Sequence, residues 1–354
     1  MKPRVLFICG SVNQTTQMHR IAECLADDIE PAFTPYYCDG LLEFCRRRHL
    51  LETTVLGSKL AGRALAYLRT NNLPVDDKGK HGPYDLVVTC SDLIVPQNIR
   101  RTKTVLVQEG MTDPENFMYH LVRRIPLLPR WLASTSTTGL SGMYDRFCVA
   151  SAGYRRLFME KGIPPHKITV TGIPNFDNCA RFLENDFPLK GYVLVCTSDT
   201  RETYKFENRR RFIRKSLDMA AGRDLIFKLH PNEFAERAIR EIRQLAPRAL
   251  VFTSGNTEAM IANCSVLITR YSSTIFVGLA LGKECHSDFH LGELRELMPE
   301  QNSSAAENIG RVCLEVLGDG RLRPLCRPVR EAGRHSNKTA PAPLAWASCG
   351  RDTR

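Results

Sequence analysis

The chain has no apolar run approaching the roughly 20 residues that a bilayer-crossing helix requires; the run at 5–9 is typical of its longest. It has no C-x-x-C pair. Its 13 cysteines are odd in number and scattered, which argues against a zinc site and a secreted disulfide framework and for reduced thiols in a cytosol. The phosphate loop G-x-x-x-x-G-K-[ST] and the fingerprint G-x-G-x-x-G are both missing, which disfavours ATP hydrolysis and dinucleotide binding. No acidic pair of the D-x-D kind suggests a metal site, and no repeat recurs at a period of 20–50 residues. The opening Met1-Lys2-Pro3-Arg4 lacks the small-residue cleavage site of a signal peptide and reads as the approach to a buried strand.

What is present is ordinary globular composition. The 354 residues are 43% hydrophobic and 25% charged, which suits two domains of about 150 residues each. The formal net charge of +11 invites a nucleic-acid reading, but it is uneven. Residues 320–354 hold eight basic and two acidic residues in a Pro-, Ala-, Ser- and Gly-rich context, the pattern of a disordered tail. That leaves +5 on the first 319 residues. The triplets Arg46-Arg47-Arg48 and Arg209-Arg210-Arg211 have no interleaved aromatics, so a stacking platform for nucleic acid is not supported and no nucleic-acid partner is expected.

The body alternates strands and helices. Apolar runs at 5–9, 84–90, 104–108, 146–150 and 168–170 read as buried parallel strands, and Met18, Ile21, Ala22 and Leu25 recur at helical spacing after the first. A second series follows at 192–196, 224–228, 249–252, 265–269 and 284–286, beyond a polar, Pro188-containing linker at 181–191. Two sets of β-α units predict an α/β protein of two Rossmann-like, doubly wound domains facing across a cleft, at 1–187 and 188–319, with a basic tail at 320–354. In such sheets ligands bind beyond the carboxyl ends of the strands, so the residues just after each strand carry the candidate chemistry.

Three of these positions stand out. In Val107-Gln108-Glu109-Gly110 a carboxylate ends a strand, where partial desolvation suits a general base; a loop acid capping the next segment fits equally. In Lys228-Leu229-His230-Pro231 the proline stops the strand and fixes the backbone after His230, whose N–H could donate to a phosphate while Lys228 adds charge. A strand-end histidine satisfied by its neighbours is the alternative. In Arg270-Tyr271-Ser272-Ser273-Thr274 hydroxyls stand at a strand-to-helix junction, either as an anion site or as a helix cap. Arg201, after the first strand of the second series, could neutralise a diphosphate or belong to a solvated loop. The segment 121–132 mixes leucines, arginines, two prolines and Trp131; it is either a broken core helix or a stretch lying on an anionic lipid surface.

The order acid-Gly, His-Pro, Ser-Ser resembles bacterial GT-B glycosyltransferases of the sialyltransferase-like and capsule-assembly kind. That resemblance implies Glu109 as the catalytic base, with His230, Pro231, Ser272, Ser273 and Thr274 at the donor phosphate and ribose. Gln108 stands where the family pattern has a second acid. It also implies a metal-independent transferase in polysaccharide biosynthesis. The transferase would take a CMP- or UDP-linked sugar as substrate, need no cofactor, and act on a glycan or lipid-linked acceptor. Its expected place is cytoplasmic, with peripheral contact at the inner membrane face as an open alternative. A second resemblance competes. Segments 107–112 and 168–177 and His230-Pro231-Asn232 look like those of the UDP-N-acetylglucosamine 2-epimerases. The paired glutamates of that family are absent here, Ser273-Thr274 occupying the place, and Ser198–Thr203 matches its His-Arg-Arg-Glu-Asn stretch only loosely. A catalytically silent sugar-nucleotide-binding subunit is the third reading, which Gln108 keeps open.

Overall fold

The structure, a computed structural model, describes residues 1–49, 51, 56–125, 127–202 and 206–318. The expected basic tail at 320–354, together with Pro126 and Thr203, lies outside the described residues. The first lobe runs β1 (Arg4–Cys9), α1 (Val12–Cys24), β2 (Glu30–Pro35), α2 (Gly40–Arg47), α3 (Ser58–Thr70), β3 (Leu86–Thr89), β4 (Lys103–Val107), α4 (Phe117–Arg124), β5 (Arg146–Val149), α5 (Ala152–Glu160) and β6 (Ile168–Val170). The second continues with β7 (Val193–Cys196), α6 (Arg209–Ala220), β8 (Leu225–Lys228), α7 (Ala235–Leu245), β9 (Leu250–Phe252), α8 (Thr257–Asn263), β10 (Val266–Ile268), α9 (Thr274–Ala280), β11 (Glu284–His286), α10 (Leu291–Glu296) and α11 (Ala305–Leu317).

All pairings are parallel. The sheets have the orders β2-β1-β3-β4-β5-β6 and β11-β10-β7-β8-β9, so the chain crosses over beside β1 in one and beside β7 in the other. Those switch points are where a doubly wound sheet opens a crevice. The strands β1, β3, β7 and β8 are buried on both faces, as their unbroken apolar runs require. One strand escapes sequence reading: β2 contains Pro31 and Pro35, which remove ladder donors. It is tolerated because it is the sheet's edge strand, its outer side held only by the isolated bridge of Phe33 to Val75 among the described residues, and Phe33 stacks on Phe7 at 5.2 Å.

The lobes share a core. Phe276 of α9 meets Tyr154 of α5 and Phe176 edge-on at ring separations of 6.5 and 6.4 Å. The expected linker at 181–191 is partly structured: a short 3-10 helix covers Cys179–Leu183, and Phe187 packs on Tyr192 and Phe252. The aromatic ring anchors a stretch whose polar residues hide that role. After α10 the chain returns to the first lobe. Ile309, Val312, Cys313 and Leu314 of α11 are buried there with Val105 and Val107 of β4, and the Ala305 amide donates to Asp177 at 2.9 Å.

Candidate functional site

The ends of β1, β3 and β4 on one side, and of β8 and β10 on the other, meet around a cavity of ≈ 280 Å³. Glu109, His230, Ser272 and Ser273 all line it, although 163 positions separate the first from the third in sequence. The structure therefore brings together the three post-strand positions that the sequence singles out. Gly110 sits directly opposite Ser273. A Cβ added at Gly110 would lie 3.3 Å from the Ser273 Cβ, so a glycine there lets the two lobes close on each other.

Glu109 is half-buried and held at both oxygens. The Ser11 hydroxyl donates to Oε1 at 2.9 Å and the Gln14 amide donates to Oε2. Ser11 caps α1, accepting from the Gln14 backbone N–H, so the start of α1 is what aims these donors. Gly10 makes the arrangement possible: a Cβ there would lie 1.9 Å from Gln14 Oε1. Ser11 and Gln14 were not foreseen; the Gly10-Ser11 break after β1 was the available signal.

Gln108 has a structural explanation. It is 1% exposed, donates to the Gly110 carbonyl at 2.8 Å and accepts from the Ala150 amide at 2.9 Å. That position needs a side chain that donates and accepts at once. A carboxylate would face the Gly110 carbonyl with no proton to offer. Gln108 thus braces the loop that presents Glu109.

On the other lobe the His230 backbone N–H donates to Thr197 Oγ1 at 3.0 Å, and that hydroxyl donates to the buried Glu233, which is paired with Arg209. The Asn232 backbone N–H donates to His230 Nδ1 at 3.3 Å, which favours the tautomer carrying its proton on Nε2, while Asp199 Oδ2 stands farther off at 3.6 Å from the same nitrogen. Burial lowers the imidazole pKa from its ordinary value, against the opposing charge of Asp199, so the ring is neutral and its Nε2–H remains a donor. Ser272 and Thr274 share a hydroxyl hydrogen bond of 2.9 Å, and Ser273 opens α9 without capping it. The helix is seven residues long, so these hydroxyls, more than a macrodipole, are what the loop offers an anion.

Four expected donor-binding residues are not among those lining the cavity: Thr274, whose hydroxyl bonds with that of Ser272, and Lys228, Arg201 and Pro231. Lys228 is 5% exposed, and its ammonium donates to the Leu229 carbonyl at 3.0 Å; burial lowers its pKa. Arg201 is paired with Glu241 at 2.9 Å and lies 3.8 Å from Glu233, which leaves little of its charge for a diphosphate. Pro231 is exposed; its carbonyl accepts from Arg63 of α3 at 3.4 Å, and Asn232 Oδ1 accepts from the same guanidinium at 3.2 Å. Arg63 was not foreseen, and it reaches the His-Pro loop from the opposite lobe.

The cavity wall also carries Tyr271 and Phe289, packed edge-on at 4.9 Å, with Tyr271 45% exposed. The Arg270 guanidinium, paired with Asp288 at 2.6 Å, lies 5.6 Å from the Tyr271 ring. This gives the cleft an aromatic surface suited to a base or a sugar face. Cys90 lines the cavity too, but burial holds its thiol well above the ordinary range, so it is no nucleophile at neutral pH.

No family model matches the chain, and no curated protein does. Solved structures do. The UDP-GlcNAc 2-epimerase from Neisseria meningitidis, solved bound to UDP-GlcNAc, superposes with a TM-score of 0.56 at 13% identity over 88% of this chain and 100% of that one. MnaA from S. aureus, solved with UDP, gives 0.57 at 10% over 89% and 97%. The wall teichoic acid polymerase TagF, as its H548A variant, gives 0.51 at 11% over 90% of each. The fold is GT-B. Identities this low establish that architecture and nothing finer. Within the GT-B frame, the cavity between the ends of β4 and β10 is the interlobe cleft.

Proposed function

We propose that the protein acts on a nucleotide sugar, breaking its sugar–phosphate bond in the interlobe cleft with Glu109 as the base. The observation that carries this reading is the placement of Glu109 and the Ser272-Ser273 pair on opposite walls of one cavity, with His230 beside them. A carboxylate on one wall can take a proton while donors on the other meet the charge of the departing nucleotide. His230 Nε2–H and the hydroxyls of Ser272 and Ser273 supply those donors. The donor, CMP- or UDP-linked, is the substrate, and its leaving group is stabilised by protein groups.

Two fates of the sugar follow. In epimerisation the base removes a proton from the carbon beside the anomeric centre as the nucleotide leaves, and both return with the configuration changed. The fold likeness to two proteins solved with UDP-GlcNAc or UDP, one of them named a 2-epimerase, favours this reading. In transfer the base takes the proton of an acceptor hydroxyl, whose oxygen bonds the anomeric carbon as the phosphate oxygen departs. A large groove that adjoins the cleft, described below, favours this one.

Incubation with UDP-GlcNAc in deuterated water, without acceptor, separates them. An epimerase incorporates deuterium at C2 and forms the second epimer; a transferase leaves the sugar untouched until an acceptor is added and then releases UDP. Nucleotide-dependent stabilisation without turnover identifies a silent binding subunit. The proposal fails if neither UDP nor CMP raises the melting temperature and no nucleotide sugar is consumed.

A further inference from the structure

A second cavity, ≈ 800 Å³, opens on the first lobe beside the cleft. The two adjoin: Leu93 lines both, and the successive residues Thr137 and Thr138 line one each. Its apolar wall includes Leu127, which is 93% exposed, and Met143, which is 47% exposed, with Leu93 and Leu128 deeper and Trp131 half-buried at its edge. Apolar side chains left open together along one cavity, unlike single exposed ones, mark a surface that meets another molecule.

The polar part of the lining is one-sided. Among the described residues, Arg100, Arg123, Arg130, Lys161 and Lys167 contribute, against the single carboxylate of Asp39. Three of the cations already have work. Arg130 pairs with the buried Asp92, Lys161 is buried beside Glu115 and donates to the Ser136 carbonyl, and Lys167 donates to two carbonyls. Arg100 and Arg123 are exposed. Each donates to one backbone carbonyl, of Val95 and Lys161, and among the described residues neither pairs with a carboxylate. Two guanidiniums with N–H groups to spare, at the rim of an apolar trough, complement a molecule that has an anionic head and a hydrocarbon chain.

We propose that this groove binds a phosphate-headed lipid, its chain along Leu93, Leu127, Leu128 and Met143 and its phosphate against Arg100 and Arg123. No helix among the described residues is long and apolar enough to cross a membrane. Because the groove runs into the cleft, a hydroxyl-bearing head group on the bound lipid is placed to accept the sugar. That last role rests on the transfer reading; lipid binding itself does not.

The chain has two tryptophans, Trp131 and Trp346, so Trp346→Phe leaves Trp131 as the sole fluorescent reporter. The probe is vesicles of phosphatidylcholine with or without phosphatidylglycerol, carrying brominated acyl chains. Trp131 should shift to the blue and be quenched with the anionic vesicles alone. Arg100→Gln/Arg123→Gln should weaken binding about 30-fold, and Leu127→Asp, on an exposed side chain, should remove the quenching. Vesicle binding without quenching would place the contact elsewhere, for instance on the basic residues 320–354, and overturn the proposal. So would full binding by the double variant, no binding at all, or an equal response to inorganic phosphate alone. A UDP-induced thermal shift measured on the same variants reports on the nucleotide site independently, so its loss would count against the nucleotide reading and not against the groove.

Discussion

Replacing Glu109 with glutamine separates its chemistry from its structural role. The amide has the shape of the carboxylate, and both existing contacts can be rebuilt. Its oxygen can accept from Gln14, and its NH₂ can turn to the Ser11 hydroxyl, which has a lone pair to offer beyond the one accepting the Gln14 backbone N–H. The stability cost is the exchange of two charge-assisted hydrogen bonds for neutral ones, about 2 kcal/mol in all. For a chain of this size that corresponds to a fall of roughly 4 °C in melting temperature. The loss of the base is far larger: kcat should drop by about 10²–10⁴. Binding of the nucleotide should persist, because His230, Ser272 and Ser273 belong to the other lobe and, among the described residues, Glu109 takes its two side-chain hydrogen bonds from Ser11 and Gln14 of the first lobe. The assays are turnover of UDP-GlcNAc, with and without acceptor, and the UDP-dependent thermal shift on the same preparation. A Glu109→Gln protein that binds UDP and turns over within a factor of a few of the wild type would refute the base assignment. A variant that loses both activity and UDP stabilisation would show that Glu109 holds the cleft together instead of acting in it.

Other consequences follow from the packing and the charges. Gly153 of α5 abuts the far lobe: an added Cβ would lie 2.0 Å from the Glu296 backbone carbonyl oxygen. Gly153→Ala should therefore cost at least about 3 kcal/mol, the top of the usual overpacking range, read by chemical denaturation; a neutral result would mean the lobes can slide. Asp92 is 2% exposed and accepts from the Gly139 and Ser141 amides at 2.9 Å and from Arg130 at 3.2 Å. Asp92→Asn turns an NH₂ toward those donors and should cost on the order of 3 kcal/mol, with a melting point unchanged within error as the contrary outcome. His230 has a folded-state pKa lowered by burial below the ordinary 6.5. Above 6.5 neither state is protonated there. As pH falls through that value the unfolded chain takes a proton first, so stability is lost between 6.5 and the lower folded value. Melting curves from neutral to mildly acidic pH should show His230→Asn losing less stability than the wild type over that window; parallel curves would contradict the burial argument.

Much of this architecture was legible in the chain because buried parallel strands leave a plain signature. Among the described residues, ten of the eleven strands fall on segments named from the sequence, and the one that does not, β2, carries two prolines that its edge position excuses. A parallel sheet places the end of every strand along one edge, which is why Glu109, His230 and Ser272–Thr274 could be named in advance as neighbours of a single cleft. Side-chain direction was a different matter. Lys228 alternates inward from the last position of β8 and is spent on the Leu229 carbonyl. Arg201 is claimed by Glu241, forty residues on. Ser11 and Gln14 reach Glu109 across 98 and 95 positions, and Arg63 reaches the His-Pro loop across more than 160.

Fold class, strand order along the chain and the kinds of polar group at the strand ends follow from the sequence. Local periodicity and strand-end position carry those, because they depend on neighbours in the chain. The tertiary structure alone decided which of these groups are free. It buried Lys228, paired Arg201, explained Gln108 as a brace, returned α11 to the first lobe and opened a basic apolar groove beside the cleft. Each of those depends on a partner distant in sequence, where the balance between desolvation and pairing is settled only once the chain has folded.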